Sequence, residues 1–281
     1  YAWPRLASWL ATLGCAAGAA LGLVPAVQVV FGRLDAESIR YAWTLPLGEC
    51  HLALDALSAF FLIPILLLAA LAAVYGTRYL DHDGGPRVAV SWFFYTLLAA
   101  GMVLVVVARD GMLFLLAWEM MSLASFFLVA YDDRRDSVRR AAWTYLVATH
   151  VGTAALLALF IVLSGQAGSL DFDDFAKTGL TPDIAALAFV LALVGFGTKA
   201  GFVPLHVWLP EAHPAAPSHV SAVMSGVMIK TGLYGLIRTL TLIGPPAEWW
   251  GWVLVGIGLT SGIFGVLFAL AQGDLKRVLA Y

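Results

Sequence analysis

Ionisable residues inside apolar segments are the feature of this 281-residue sequence most able to do chemistry. Lys199 and Lys230 each lie within a stretch hydrophobic enough to span a bilayer, and Glu119 lies near the middle of a third such stretch. A charge at the centre of a membrane helix costs roughly 2.5–3.5 kcal/mol on insertion scales, and residues of this kind mark ion and proton pathways. The three groups therefore predict a polar path inside a membrane protein.

Glu119 and Lys199 are expected to form a coupled pair. A carboxylate and an ammonium group stabilise each other's charge when they meet in a medium of low dielectric constant. Two groups that interact in this way titrate as a unit. The alternative is an interhelical salt bridge that only holds the helices together.

Histidines extend the set of candidate proton carriers. His219 precedes Lys230 by eleven positions, which is three helical turns plus about 20°, so both side chains are predicted to face the same way. Imidazole titrates near neutral pH and could pass protons along this face. The alternative is that His219 is a loop-edge residue that only makes hydrogen bonds. His150 is a further relay candidate, whereas His206 and His213 are expected to be structural.

The segment that carries Lys199 is predicted to be a broken helix. Pro204 lacks an N–H, and its ring would clash with the carbonyl of Ala200, while Gly201 loosens the same turn. A straight helix over 182–209 would also be about 42 Å long, against a hydrocarbon core of about 30 Å. Broken helices at membrane depth line cavities and hold ion sites. The alternative is a kink that only shapes packing.

Composition assigns the chain to the membrane. Hydrophobic residues make up 61% of it, charged residues only 12%, and the mean hydropathy is +0.88. A soluble domain has about 25% charged residues. No basic cluster lies beside stacking aromatics outside the apolar segments, so nucleic acid is not an expected partner. Cys15 and Cys50 have no metal-binding spacing, so we expect no metal, no cofactor and no redox centre in this chain.

Eight apolar segments predict an all-α, polytopic transmembrane bundle, and most have the roughly 20 residues that a spanning helix needs. The first follows Arg5 but is too long for a signal peptide, so we count it as a true helix. The segments are 6–31, 56–79, 88–108, 111–131, 138–164, 182–209, 218–243 and 249–272.

Loop charges predict the orientation of the bundle. Eight spans put both ends on one side, and the side richer in Lys and Arg is expected to face the cytoplasm, in a multi-pass protein of the inner (plasma) membrane. The predicted cytoplasmic set is Arg5, Arg78, Arg87, Arg134, Arg135, Arg139, Arg140, Lys276 and Arg277. The predicted outer set is Arg33, Arg40, Arg109, Lys177 and Arg238, together with the acids Asp171, Asp173, Asp174 and Asp183.

Three motifs resemble one known family. WEMMSLASFFLVAYDD, GFGTKAGFVPLHVWLPEAHPAAPSHVSAVMSGVMIKTGLYGLIR and AQGDLKRVLAY are similar to the antiporter-like, proton-translocating subunits of respiratory complex I, Mrp-type cation/proton antiporters and membrane-bound hydrogenases. The sequence around Ser218 and His219 most resembles that of the large membrane subunit of hydrogenase-4 and formate hydrogenlyase. Complex I and Mrp relatives usually have a threonine-proline pair there.

The resemblance implies a fourteen-helix fold with two inverted five-helix repeats, of which this chain would supply the second to ninth helices as part of a longer protein. It implies peripheral helices over 1–87, the first proton half-channel repeat over 88–243 and the start of the second repeat over 244–281, within one transmembrane domain. It also implies roles for Glu119 as the helix-five glutamate, Lys199 as the broken-helix lysine and Lys230 as the bridging residue.

The resemblance further implies function and partners. The expected function is proton movement through a Glu-Lys-Lys relay coupled to redox chemistry in other membrane subunits and in a peripheral hydrogenase or dehydrogenase arm. Several relatives have an acidic residue where this chain has Thr153, so the proton path through the membrane is not expected to be identical to theirs. A subunit of an Mrp-type Na⁺/H⁺ antiporter and a non-pumping membrane anchor of a hydrogenase are the two alternatives.

Overall fold

The protein is described by a computed structural model that covers residues 2–43, 48–82 and 86–281. Within these residues eight helices are long and apolar enough to cross a membrane, as the sequence predicts. In chain order the helices are α1 Ala2–Val30, α2 Ala56–Tyr79, α3 Pro86–Val107, α4 Gly111–Val129, α5 Asp136–Ala167, the short α6 Phe172–Lys177, α7 Pro182–Ala200, the short α8 Leu209–Ala215, α9 Ser218–Val223, α10 Ile229–Leu242, α11 Glu248–Leu270 and the short α12 Leu275–Ala280. A π-helical segment, Met224–Met228, joins α9 to α10 into one span.

Small residues let the central helices approach closely. A Cβ on Gly232 of α10 would come within 2.6 Å of the carbonyl oxygen of Phe196 on α7, and a Cβ on Gly152 of α5 within 3.1 Å of that of Gly195. Close backbone approach at small residues is a common way for membrane helices to associate, because lipid provides no hydrophobic force between them. Helix α7 is therefore held tightly between α5 and α10.

The break beside Lys199 is confirmed, but α7 is shorter than predicted. The helix ends at Ala200, and Gly201 adopts φ +80°, a left-handed conformation that favours glycine. Pro204 follows a cis peptide bond, and irregular turns lead to α8. The predicted span 182–209 is wrong over its last nine positions, because the chain leaves the helix before the proline rather than kinking at it.

The prediction of an all-α transmembrane bundle is confirmed, and a short β-hairpin that the sequence analysis did not predict is added to it. Strands β1 Glu37–Tyr41 and β2 Cys50–Leu54 pair antiparallel between α1 and α2. The main chain of β2 is fixed to the α3–α4 connection, where the N–H of Arg109 donates to the carbonyl oxygen of His51 at 2.9 Å. The hairpin therefore covers one end of the bundle.

Ion pairs and hydrogen bonds sort the loops into the two ends that their charges predict. At one end Arg5 meets Asp81 and Arg277 meets Glu211. At the other end Arg40 meets Asp171 and Asp173. Each contact joins loops that the charge analysis assigns to the same side.

Candidate functional site

Lys199 lies in the last turn of α7, inside the bundle and only 2% exposed. Its Nζ donates to the hydroxyls of Ser122 on α4 at 3.1 Å and Tyr145 on α5 at 3.0 Å. The same nitrogen lies 5.7 Å from the centroid of the Trp118 ring and 5.3 Å from that of Tyr145. The ammonium group is thus surrounded by neutral hydroxyls and aromatic faces, which attract a cation without supplying a negative charge.

The end of α7 adds main-chain polarity to this environment. The last carbonyls of a helix have no partner in the helix and carry the negative end of its dipole, which favours a cation. Two of these carbonyls are bonded from outside. The N–H of Gly201 donates to Gly197 at 2.9 Å, and Nε1 of Trp208 donates to Thr198 at 2.8 Å. The break therefore positions Lys199 beside a helix C-terminus that the residues after the break complete.

A chain of hydroxyls leads from Lys199 into α4. The Tyr145 hydroxyl makes a short hydrogen bond with that of Ser125, which also bonds the carbonyls of Met121 and Ser122. Sequence analysis missed Ser122, Ser125 and Tyr145 as site residues. The available signal was spacing, because Ser122 follows Glu119 by three positions and so lies on the same side of α4.

Glu119 pairs with His150 rather than directly with Lys199. Its Oε2 lies 3.6 Å from Nε2 of His150, and no ion pair within 4.0 Å joins it to Lys199 among the described residues. The second carboxylate oxygen, Oε1, is buried without a hydrogen-bond partner in the described part of the chain. Glu119 and Lys199 nevertheless lie on facing helices within electrostatic range. The structure thus pairs Glu119 with His150, whereas the direct partners of Lys199 are the hydroxyls of Ser122 and Tyr145.

Lys230 and His219 do not face the same way, contrary to the prediction. His219 is fully buried, whereas Lys230 is exposed and its Nζ donates to the carbonyl oxygen of Ser225 at 2.5 Å. The reason is the π-helical segment between them, in which the N–H of Ile229 donates to Met224 five residues back. The extra residue rotates everything after it by roughly 100°.

His219 lies at the loop edge, as the second residue of α9, but it is fully buried and packed among aromatic rings. Its ring lies 5.6–5.7 Å, centroid to centroid, from the rings of Tyr79, Trp92 and Tyr95. Neither ring nitrogen has a partner among the described residues. A Cβ on Gly76 would come within 2.9 Å of the imidazole, so glycine leaves room for it.

The remaining two histidines lie in the connection after the break. His213 is buried, and its Nδ1 lies 3.2 Å from the hydroxyl of Ser221. Burial, together with the charges of Lys230 and Lys276, lowers the pKa of His213 to about 4. His206 lies against the rings of Phe268 and Tyr281. His213 is therefore within the electrostatic reach of Lys230 and is held neutral at physiological pH.

A second buried polar cluster lies at the predicted outer end. Oδ1 of Asp55 is 3.1 Å from Nη2 of Arg109 and 2.7 Å from Nη2 of Arg238. The hydroxyl of Tyr234 donates to Val106 at 2.7 Å and accepts from both arginines. Burial alone would raise the pKa of Asp55, but the hydrogen bond from Arg238 and the charge of Arg109 hold it well below its usual range. Arg238, predicted to be in a loop, is instead buried inside the span that contains α10.

The hairpin brings together three residues able to bind a metal. Ligand atoms of Glu49, His51 and Asp171 lie within 4.8 Å of one another. The guanidinium group of Arg40, however, contacts Glu49 at 2.5 Å and Asp171 at 2.6 Å, and Nδ1 of His51 lies 2.8 Å from Asp171. Because an arginine already neutralises these carboxylates, the cluster has the character of an ion-pair network that ties the hairpin to α6.

Eight membrane-length helices around a buried lysine at a helix break define a polytopic membrane protein with an ionisable core. The profile of a family described as NADH:quinone oxidoreductase/Mrp antiporter, TM, matches residues 108–281. The chain belongs to this family. Its sequence is that of an antiporter-like membrane subunit of the kind found in hydrogenase, complex I and Mrp-type complexes, as its motifs indicate.

Relatives and a solved structure support this assignment. The chain is 40% identical over 246 residues to hydrogenase-4 component B of Escherichia coli, covering 86% of this chain and 36% of that protein. It is 32% identical over 257 residues to NADH-quinone oxidoreductase subunit M of Pseudomonas aeruginosa, covering 86% and 49%. The Mrp complex from Dietzia sp. DQ12-45-1b superposes with a TM-score of 0.84 at 28% identity, over 99% of this chain and 32% of that one. The chain thus spans between a third and a half of these proteins.

Proposed function

We propose that this chain is part of a proton-translocating subunit of a hydrogenase-type membrane complex. In this proposal redox chemistry in partner subunits drives H⁺ through residues 88–243, the first half-channel repeat. Glu119, Lys199 and Lys230 carry the proton, and His150 and His219 assist. The observation that carries the proposal is the buried ammonium group of Lys199, whose direct partners are neutral hydroxyls and rings.

A lysine with neutral partners is suited to gain and lose a proton. A carboxylate in direct contact would stabilise the charged form strongly in a medium of low dielectric constant, whereas hydroxyls accept a hydrogen bond without adding charge. Glu119 lies on α4 one helical turn before Ser122, the residue whose hydroxyl accepts from Lys199. A change in the charge or position of Glu119 would therefore alter the proton affinity of Lys199, and one pKa unit corresponds to about 1.4 kcal/mol.

The pair of Glu119 and His150 adds an entry step to this scheme. At 3.6 Å the two groups are close enough to exchange a proton through a small movement or a single water. A protonated His150 would neutralise Glu119 and reduce its attraction for the proton on Lys199.

The test is proton uptake into inverted membrane vesicles that carry the full-length protein in its complex, with turnover of hydrogen or of the electron donor followed in parallel. Lys199→Met keeps a side chain of similar length but removes the charge, and we expect it to abolish the gradient while turnover continues. Lys177→Met is the matched control, because Lys177 is the exposed last residue of the short helix α6, outside the membrane-spanning helices. An unchanged gradient in Lys199→Met would overturn the relay.

The same vesicles separate the two alternatives. An Mrp-type Na⁺/H⁺ antiporter would collapse an imposed pH gradient on addition of Na⁺ without redox turnover. A non-pumping anchor would give no gradient in the wild type, and neutral substitutions such as Lys230→Gln would alter only assembly. The 40% identity to hydrogenase-4 component B, together with the resemblance at Ser218-His219, favours a hydrogenase-type complex over the two alternatives.

A further inference from the structure

A groove between α3, α4 and α5 opens at the predicted cytoplasmic end of the bundle and belongs to no part of the relay. Its volume is about 520 Å³, within the roughly 300–1,000 Å³ typical of ligand sites. The deep wall is apolar, with Phe94 and Phe127 stacked at 4.3 Å between ring centroids and Val90 beside them. The mouth is lined by Arg87 and Arg139.

We propose that this groove holds one acidic phospholipid, with its phosphate between Arg87 and Arg139 and one acyl chain along Phe94 and Phe127. The order of chemistry along the groove matches that of a lipid. Arg87 is the second residue of α3, whereas Ser91 and Phe94 lie roughly 6 and 10 Å further along that helix at 1.5 Å per residue. Charge is thus at the water interface and apolar surface at the depth of the acyl chains.

The charge beside the groove favours an anion. The charged residues that line it are Arg87, Arg139 and Asp133, a net charge of +1. The adjoining loop, residues 131–140, has four arginines and three aspartates. Arg87 Nη2 contacts Asp133 at 3.0 Å, and Arg139 Nη1 donates to the carbonyl oxygen of Asp133 at 2.7 Å. Arg139 also pairs with Asp136 through Nη2. These contacts hold both guanidinium groups at the loop, and each group has five N–H donors, so further donors stay available to a phosphate. Basic pockets between membrane helices on the cytoplasmic side are typical sites for acidic headgroups.

Ser91 and Trp143 complete the lining of the groove. The Ser91 side chain is only 4% exposed, so it forms part of the wall. Trp143, 62% exposed at the rim, is of the type enriched at the membrane interface.

Native mass spectrometry of the detergent-purified complex with the full-length chain tests the proposal. We expect one phosphatidylglycerol retained per copy, and roughly 30-fold weaker binding in Arg87→Gln/Arg139→Gln, about fivefold for each arginine near the surface. Arg78→Gln is the matched control, an exposed arginine at the same end that does not line the groove. It should retain the lipid.

A second variant keeps the test sharp if the double substitution impairs assembly. Val90→Trp fills the groove from an exposed position without changing charge, so it should exclude the acyl chain and reduce retention. Equal retention in the wild type and in both groove variants would overturn the proposal, as would equal retention of phosphatidylcholine. Displacement of phosphatidylglycerol by inorganic phosphate would assign the site to free phosphate instead, and a partner helix seated in the groove would also refute the lipid.

Discussion

The buried cluster at the outer end predicts a large loss of stability in Asp55→Asn. The single carboxylate serves two guanidinium groups whose side chains are only 6% and 11% exposed, those of Arg109 and Arg238. Breaking a buried ion pair by removing one partner costs about 3–5 kcal/mol, because the remaining charge stays buried. Asp55 itself is 32% exposed, so water offsets part of this cost and we expect about 3 kcal/mol, or roughly a 150-fold shift in the unfolding equilibrium.

The assay is reversible unfolding of the purified protein in detergent by increasing the mole fraction of SDS, followed by circular dichroism. Asp173→Asn is the matched control, because that carboxylate pairs with Arg40 but is 54% exposed, and its loss should cost less than about 1 kcal/mol. In Asp55→Asn/Arg238→Gln the cost should be smaller than the sum of the two single changes, since one unpaired cation has been removed.

The direction of the pKa shift of Asp55 determines how the loss of stability in Asp55→Asn depends on pH. The folded protein holds the pKa of Asp55 well below its usual range, so the stability it contributes is fully present above the unfolded value of about 3.9 and is lost only at strongly acid pH. The cost of Asp55→Asn should therefore be constant between pH 5 and 8. A cost below 1 kcal/mol, or one that varies across this range, would refute the reasoning.

Three further predictions use the same unfolding assay. Tyr145→Phe removes one of the two hydroxyls that accept a hydrogen bond from Lys199 and should lower the free energy of unfolding by about 1.5–3 kcal/mol. Tyr95→Phe is the control and should lower it by about 1 kcal/mol, because the Tyr95 hydroxyl bonds a neutral carbonyl. Equal losses would contradict a charged Lys199. The pKa of His213 is about 4 in the folded protein and about 6.5 in the unfolded chain, so the unfolded chain binds more protons between these values. The free energy of unfolding of the wild type should therefore rise by on the order of 3 kcal/mol between pH 4 and pH 6.5. A rise of the same size in His213→Gln would show that another group is responsible. Gly232→Ala places a Cβ 2.6 Å from the backbone of α7 and should lower the free energy of unfolding by about 1–3 kcal/mol. Gly258→Ala is the control and should not destabilise the protein, because nothing lies within 4 Å of its added Cβ. Equal effects would disprove the tight contact between α10 and α7.

The sequence predicted the number of spans, the helix break and the two charged ends because each has a strong local signal. Twenty apolar residues with few charges span a bilayer as a helix, and proline and glycine both disfavour a helix interior. The same Gly-x-Val-Pro spacing at Gly22–Pro25 stays inside α1, so the excess length of 182–209 was a necessary second signal for the break beside Lys199.

The partners of Lys199 were not predictable in the same way. Serine and tyrosine are tolerated at many positions of membrane helices, so Ser122 and Tyr145 stand out only once the packing of α4 and α5 against α7 is known. Arg238 was misassigned because it lies near the end of its span, where a long side chain is usually expected to reach water. Its partner Asp55 precedes another helix, far away in sequence.

The prediction that His219 and Lys230 face the same way was wrong for a different reason. Counting residues at 100° each assumes an unbroken α-helix, and the segment MSGVM has no proline or other clear signal that it forms a π turn. The hairpin was missed because Glu37–Tyr41 is exposed along its whole length and is only five residues long, so its short alternation of polar and apolar residues gives a weak signal.

The end of α7 beside Lys199 also determines how far side-chain substitutions can dissect this region. The carbonyl groups at the C-terminal end of α7 belong to the main chain, so substitutions of neighbouring side chains leave them in place. An alanine scan of the neighbouring helices would remove hydroxyls and rings one at a time and leave this backbone component in place. Replacing Gly201, whose φ of +80° allows the helix to stop there, acts on the backbone directly, so a substitution at a residue without a functional group could disturb the lysine more than the loss of any one of its hydrogen-bond partners.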